Sequence, residues 1–134
     1  ILDPEQSNIF WEKTRSLNIF SNLKNNLLRI IVPGSETFDL MSKIKIDNVK
    51  YFIDWGGNLV WLQLDQLNSS ILKEIKTTVK NLGGYLTVIK TDESLKSSID
   101  IFTIDDVKYK IYEKIKKSFD PKRILNPGKM YTGI

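Results

Sequence analysis

The sequence of 134 residues contains no cysteine and no histidine. The first absence excludes disulfides, thiol nucleophiles and thiolate metal sites. The second removes the usual acid–base group near neutral pH and the commonest metal ligand. Any proton transfer must come from Asp, Glu, Lys, Tyr or another domain, so no catalytic residue is assigned and no metal site is expected. Long apolar runs are also missing. The longest candidate, Leu27-Leu28 and Ile30–Val32, is broken by Arg29, far short of a membrane span, and no leader peptide is recognisable. Neither a G-x-G-x-x-G nor a Walker sequence occurs, so nothing suggests that the chain binds a nucleotide by itself. Arginine is scarce: three stand against seventeen lysines.

What is present is ordinary globular material. Hydrophobic residues make up 41%, enough for one core in a chain of this length. The net charge of +4 is localised. Residues 1–104 carry twelve Lys/Arg and twelve Asp/Glu, whereas residues 105–134 carry eight and four. This basic end is either a solvated helix face or an attraction for an anionic partner or cofactor.

Local patterns give the element order. Asp3-Pro4-Glu5-Gln6 starts a helix through a capping box with proline at its first position, and Ile9, Phe10 and Leu17 form its expected inner side, with Trp11 joining them or facing a partner. Residues 18–26 read as a loop. Leu27–Val32 is a strand, ended by Pro33-Gly34. Ser35 is expected to cap a helix reaching about Ile44, with Phe38, Leu40, Met41 and Ile44 inward. Tyr51–Trp55 and Leu59–Leu64 form a hairpin around Gly56-Gly57, whose glycines accept a tight primed turn. In its second arm Leu59 and Trp61 face one way and Val60, Leu62 and Leu64 the other. Asp65 is a candidate cap for a helix with the stripe Leu67, Ile71, Leu72, Ile75, Val79 and Leu82. Gly83-Gly84 ends that helix and Tyr85–Lys90 is a fourth strand. Residues 91–104 carry no clear pattern. A last helix runs from about Asp105 to Phe119 with the stripe Val107, Ile111, Ile115 and Phe119, edged by Tyr112.

The expected fold is therefore α+β: a ferredoxin-like βαββαβ four-stranded antiparallel sheet with helices on one face, plus an N-terminal helix and a C-terminal helix and tail. The hairpin should bring Tyr51, Phe52, Trp55 and Trp61 together, either as core or as one wall of a ligand pocket. Arg29, inside an apolar strand, needs a partner. That partner is Asp54, an outward solvent position, or a substrate carboxylate taken bidentately. In the tail, Asp120-Pro121 stops the helix and Asn126-Pro127-Gly128 makes a turn. Lys129 after it is a surface lysine or a fixed cation aimed at a flavin or its substrate.

Four stretches in order carry a resemblance: Phe10–Arg15; Leu28–Pro33, with its Arg-x-x-Val-Pro; Ile53-Asp54-Trp55-Gly56-Gly57 with Trp61-Leu62; and the tail Phe119–Tyr131, with its Phe-Asp-Pro and Asn-Pro-Gly-Lys. They resemble the C-terminal cap domain of FAD-linked oxidases of the vanillyl-alcohol oxidase type, and in particular the FAD-binding second subunit of bacterial glycolate oxidase. The resemblance implies a single cap domain over residues 1–134, with an FAD-binding domain upstream that this chain, opening on Ile1, lacks. It implies FAD held mainly by that domain, a small 2-hydroxy acid substrate, and other glycolate oxidase-type subunits as partners. It also implies a cytoplasmic location, peripheral to a membrane at most through those partners, and an isolated fragment without activity.

By the same resemblance Arg29, with Trp55 and Trp61, would meet the substrate, and Asn126, Gly128 and Lys129 would lie toward the cofactor. Related enzymes place histidines in the cap; their absence here favours an accessory role over direct catalysis. The alternative is a ferredoxin-like binding or assembly module without activity, for instance for single-stranded RNA. The basic-aromatic strand motif of such domains is absent, so nucleic acid is not the expected partner.

Overall fold

The computed structural model describes residues 2–20, 26–131 and 133–134. Four strands, β1 (Asn26–Ile31), β2 (Lys50–Asp54), β3 (Leu59–Leu64) and β4 (Tyr85–Lys90), form one antiparallel sheet in the order β2-β3-β1-β4. Two helices, α2 (Thr37–Lys43) and α3 (Ser69–Asn81), connect β1 to β2 and β3 to β4. Order and connections are those of the ferredoxin-like α+β fold expected from the sequence. Outside this unit lie α1 (Pro4–Arg15), the short α4 (Glu93–Lys96) and α5 (Asp106–Phe119). Part of the loop expected over 18–26 falls outside the described residues.

Alternation along the strands sorts side chains between two faces. Leu28 and Ile30 of β1, Val60, Leu62 and Leu64 of β3, and Leu86 and Val88 of β4 form one buried cluster with Leu40 of α2 and Leu72, Ile75 and Val79 of α3. Both connecting helices thus cover the same face. The stripe read for α3 is its buried side, but the cap is Asn68 rather than Asp65: the Asn68 side chain accepts from the Ile71 N–H at 2.9 Å. Replacing Asn68 with alanine should destabilise the domain by about 1 kcal/mol in a denaturant melt.

Gly83-Gly84 closes α3 as a Schellman motif. The Gly83 N–H donates to Lys80 O (3.0 Å) and the Gly84 N–H to Val79 O (2.8 Å), with Gly83 at φ 72°. Gly84 then lies against β1: a Cβ there would meet the Ile31 carbonyl oxygen at 2.6 Å and Val32 Cγ1 at 2.4 Å.

Three helices, α1, α2 and α5, differ from their sequence reading. The capping box of α1 is present, yet Ile9, Phe10 and Trp11 are exposed. In α2 the start is a 3-10 turn over Gly34–Glu36 with no side-chain cap, so Ser35 does not serve as one, and Phe38 is 82% exposed while Leu40 is buried. Along α5 the whole stripe Val107, Ile111, Ile115 and Phe119 is exposed. Ile9 and Phe10 of α1, Phe38 of α2 and the stripe of α5 are thus apolar positions that no described part of the chain buries. The patternless segment 91–104 has a defined role: the Val88 N–H donates to Ile101 O (2.8 Å), the Thr103 N–H donates to Leu86 O (2.9 Å), and Thr87 bridges Phe102. This lays residues 101–103 along the outer side of β4.

Candidate functional site

The sheet face opposite α2 and α3 carries the residues singled out from the sequence. Arg29 alternates with the inward Leu28 and Ile30, so it points to this second face. The register aligns it with Trp61 on β3 and with Thr87 on β4. Trp61 in turn is aligned with Phe52, and Thr87 with Phe102. A row of five side chains, Phe52, Trp61, Arg29, Thr87 and Phe102, therefore crosses the sheet, each half-buried. Tyr51 does not join the other aromatics. It pairs with Leu62 and so belongs to the helix-covered face.

Trp55 reaches Arg29 from the β2–β3 connection. That connection is not a two-residue turn: Asp54 pairs with Leu59 and the chain reverses over residues 55–58. Trp55 (φ 53°), Gly56 (φ 59°) and Gly57 (φ 97°) are all left-handed. The Asp54 carboxylate accepts from the Trp55 N–H at 2.7 Å, and Asn58 donates through its side chain (2.8 Å) and its N–H (3.2 Å) to the Trp55 carbonyl. Trp55 is 57% exposed as a residue, and its ring centroid lies 5.4 Å from Arg29 Cζ, a cation–π contact. Asp54 thus caps the turn rather than neutralising the arginine. Among the described residues Arg29 makes no hydrogen bond and no ion pair, so its five N–H donors are uncommitted. The three residues expected to meet a substrate, Arg29, Trp55 and Trp61, are together.

The tail forms a second cluster, held on α5. The buried Asp120 receives the Lys116 ammonium at 2.8 Å and the N–H groups of Ile124 (3.1 Å) and Leu125 (3.0 Å). The Lys116 bond first, and the Leu125 N–H next, hold its carboxyl below the usual range. Lys116 also donates to Leu125 O, and Arg123 donates to Gly133 O. Further on, the Lys129 N–H closes the Asn126 turn (3.2 Å) and the Gly128 N–H reaches Ile134 O (2.8 Å), with Asn126 at φ 46° and Gly128 at φ 66°. Tyr131, only 6% exposed, is stacked on Tyr112 (5.9 Å between centroids) and contacts Phe102 (6.0 Å) and Tyr109 (6.4 Å).

Between α5 and the tail runs a groove of about 580 Å³, with Ile115, Leu125 and Met130 among its apolar lining and Lys116, Asn126 and Lys129 among its polar lining. The Lys129 side chain has no partner among the described residues. Asn126, Gly128 and Lys129 thus share one turn, and the row through Arg29 ends at Phe102, against Tyr131. Sequence reasoning missed Asp120 and Tyr131 as the anchors of this tail. The lysine four residues before Asp120 was the available signal; for Tyr131 there was none.

The comparisons with known proteins fit this geometry. A family model described as "FAD linked oxidases, C-terminal domain" matches residues 102–130, the stretch from Phe102 through α5 to the tail. Over 127 residues the chain is 26% identical to the glycolate oxidase subunit GlcE of Escherichia coli (strain K12), covering 93% of this chain and 32% of that protein. The chain thus spans about a third of the length of the curated relative it matches. No solved structure matches. In its ferredoxin-like sheet, its last helix and its clasped tail, the chain resembles the C-terminal cap domain of FAD linked oxidases of the glycolate oxidase subunit type.

Proposed function

We propose that this chain is the substrate-side cap of an FAD-dependent oxidoreductase subunit acting on small 2-hydroxy acids. The observation that carries this reading is the half-buried Arg29, its donors uncommitted among the described residues, set beside Trp55 and Trp61 on the sheet face opposite α2 and α3. A guanidinium in such a place suits a carboxylate, which takes two parallel N–H bonds in one plane. The indoles of Trp55 and Trp61 wall that position and limit the access of water. Asn126, Gly128 and Lys129 face the domain that holds the cofactor.

The described residues do not fit a whole FAD. They lack a glycine-rich pyrophosphate loop, and the tail groove offers Lys129 and the Asn126 amide beside apolar walls, its other lysine, Lys116, being paired with Asp120. This suits contact with an edge of a flavin bound elsewhere. FAD, when bound, supplies the two-electron acceptor. With no histidine, and with Asp54 engaged on the Trp55 N–H, this chain's part is to bind and orient. The exposed stripe of α5 and the exposed aromatics of α1 support docking onto the cofactor-bearing domain and onto other subunits.

The test is glycolate binding to the purified full-length polypeptide, with the flavin absorption band followed in parallel. Arg29→Gln is expected to weaken glycolate binding roughly 10- to 100-fold, because hydrogen bonds to charged groups contribute about 1.5–3 kcal/mol. An unchanged affinity would refute the carboxylate reading.

A further inference from the structure

The loop that carries Trp55 is specified beyond what chain reversal needs. A left-handed φ at a bulky aromatic residue is uncommon, and glycine would adopt it without strain. The conformation is held from several sides. Asp54 and Asn58 grip the Trp55 peptide, the Asn58 side chain accepts from the Gly34 N–H at 3.0 Å, and the Thr37 hydroxyl donates to Gly57 O. Gly34 packs so close that a Cβ on it would come within 3.1 Å of Gly56 O. Strain that persists because its surroundings impose it is a pointer to function.

The side chain is not placed there for burial either, since more than half of it is exposed. Nor does it join an aromatic cluster: Trp55 makes no ring–ring contact among the described residues, whose aromatic pairs lie on α1 and around Tyr131. What the ring does do is take Arg29 Cζ over its own face, 5.4 Å from its centroid.

We infer that Trp55 is a positioning residue, held in a strained turn so that its indole keeps the Arg29 guanidinium in place and leaves its N–H donors open to a carboxylate. This rests on the reading of Arg29 as the carboxylate site. A guanidinium held over a ring by cation–π attraction gives none of its N–H groups to that ring as hydrogen-bond donors, so they stay free for a carboxylate. Free to rotate, the same side chain would have to be ordered at each binding event, at the expense of affinity.

The experiment pairs two readouts on the full-length polypeptide: calorimetric titration with glycolate, and thermal unfolding. Trp55→Gly should leave the melting temperature unchanged or raise it, because glycine suits φ 53°, while weakening glycolate binding roughly 3- to 30-fold. Trp55→Phe should recover most of the affinity. Arg29→Gln serves as the control for the site itself. If Arg29→Gln loses binding but Trp55→Gly binds as tightly as the unmodified protein, the positioning role is wrong and the arginine site stands. If Trp55→Gly lowers the melting temperature along with affinity, Trp55 is a packing residue and the inference is likewise overturned. If the unmodified protein does not bind glycolate, both readings fall.

Discussion

Gly84→Ala should cost the domain about 3 kcal/mol, seen as a fall of roughly 10 °C in melting temperature. The cause is space rather than backbone freedom. The added methyl would lie 2.6 Å from the Ile31 carbonyl oxygen, 2.4 Å from Val32 Cγ1 and 3.0 Å from Val79 Cγ1. A side-chain tip can swing aside, but the Ile31 carbonyl belongs to the central strand and moves only with the sheet. Two neighbouring variants separate these contributions. Val32→Ala added to Gly84→Ala should recover only part of the loss, since the carbonyl contact remains. Gly83→Ala should cost only about 1–2 kcal/mol, because that site is open and its one penalty is the left-handed φ of 72°. A Gly84→Ala protein as stable as its parent would mean that α3 and β1 are not packed this closely.

Asp120→Asn should detach the tail. One side-chain carbonyl cannot serve two backbone N–H donors and an ammonium, and its amide would point donors at donors. Residues 121–131 should lose amide-exchange protection while the sheet keeps its own, and bound flavin should be held less tightly if the tail borders it. Acid should imitate the substitution. The Asp120 carboxyl titrates below its unfolded value of 3.8, so the clasp contributes fully above that value and is lost as pH falls through the lower folded one. Near-ultraviolet circular dichroism of the Tyr131 cluster should therefore be flat from neutrality to about pH 5 and change below about pH 4. Asp120→Asn should lack that acid step. An acid step that survives in the variant would assign it to another group.

The central unit was legible because its signals are periodic. The alternation in Leu59–Leu64 and the i, i+3, i+7 spacing of Leu72, Ile75 and Val79 each mark a face, and the βαββαβ order pairs those faces in one way. The same logic overreached at Ile9, Phe10, Phe38 and along α5. Periodicity reports that a helix has an apolar side, not that the partner for that side lies within the same chain. Trp55 and Trp61 were legible as neighbours across the hairpin, and Arg29 as an unusual side chain of its own strand. Their convergence depends on the β1–β3 register and on a four-residue reversal in place of the two-residue turn that paired glycines suggest. The Asp120 clasp left little mark, since a carboxylate bonded to backbone N–H groups has no repeat and no required partner residue type.

The two borders of the sheet are unlike. Along β4 the Val88 N–H and the Leu86 carbonyl are already paired to residues 101–103, whereas β2 is the outermost strand on the other side. An open border is where a foreign strand can add. Among the described residues β2 is the one border strand beside which no further segment pairs, so recruitment there is self-limiting. Two copies joined β2 to β2 would make a continuous eight-stranded sheet with both outer margins already occupied, and a third copy would find no strand to extend. This asymmetry between the margins of the described sheet opposes growth into fibres.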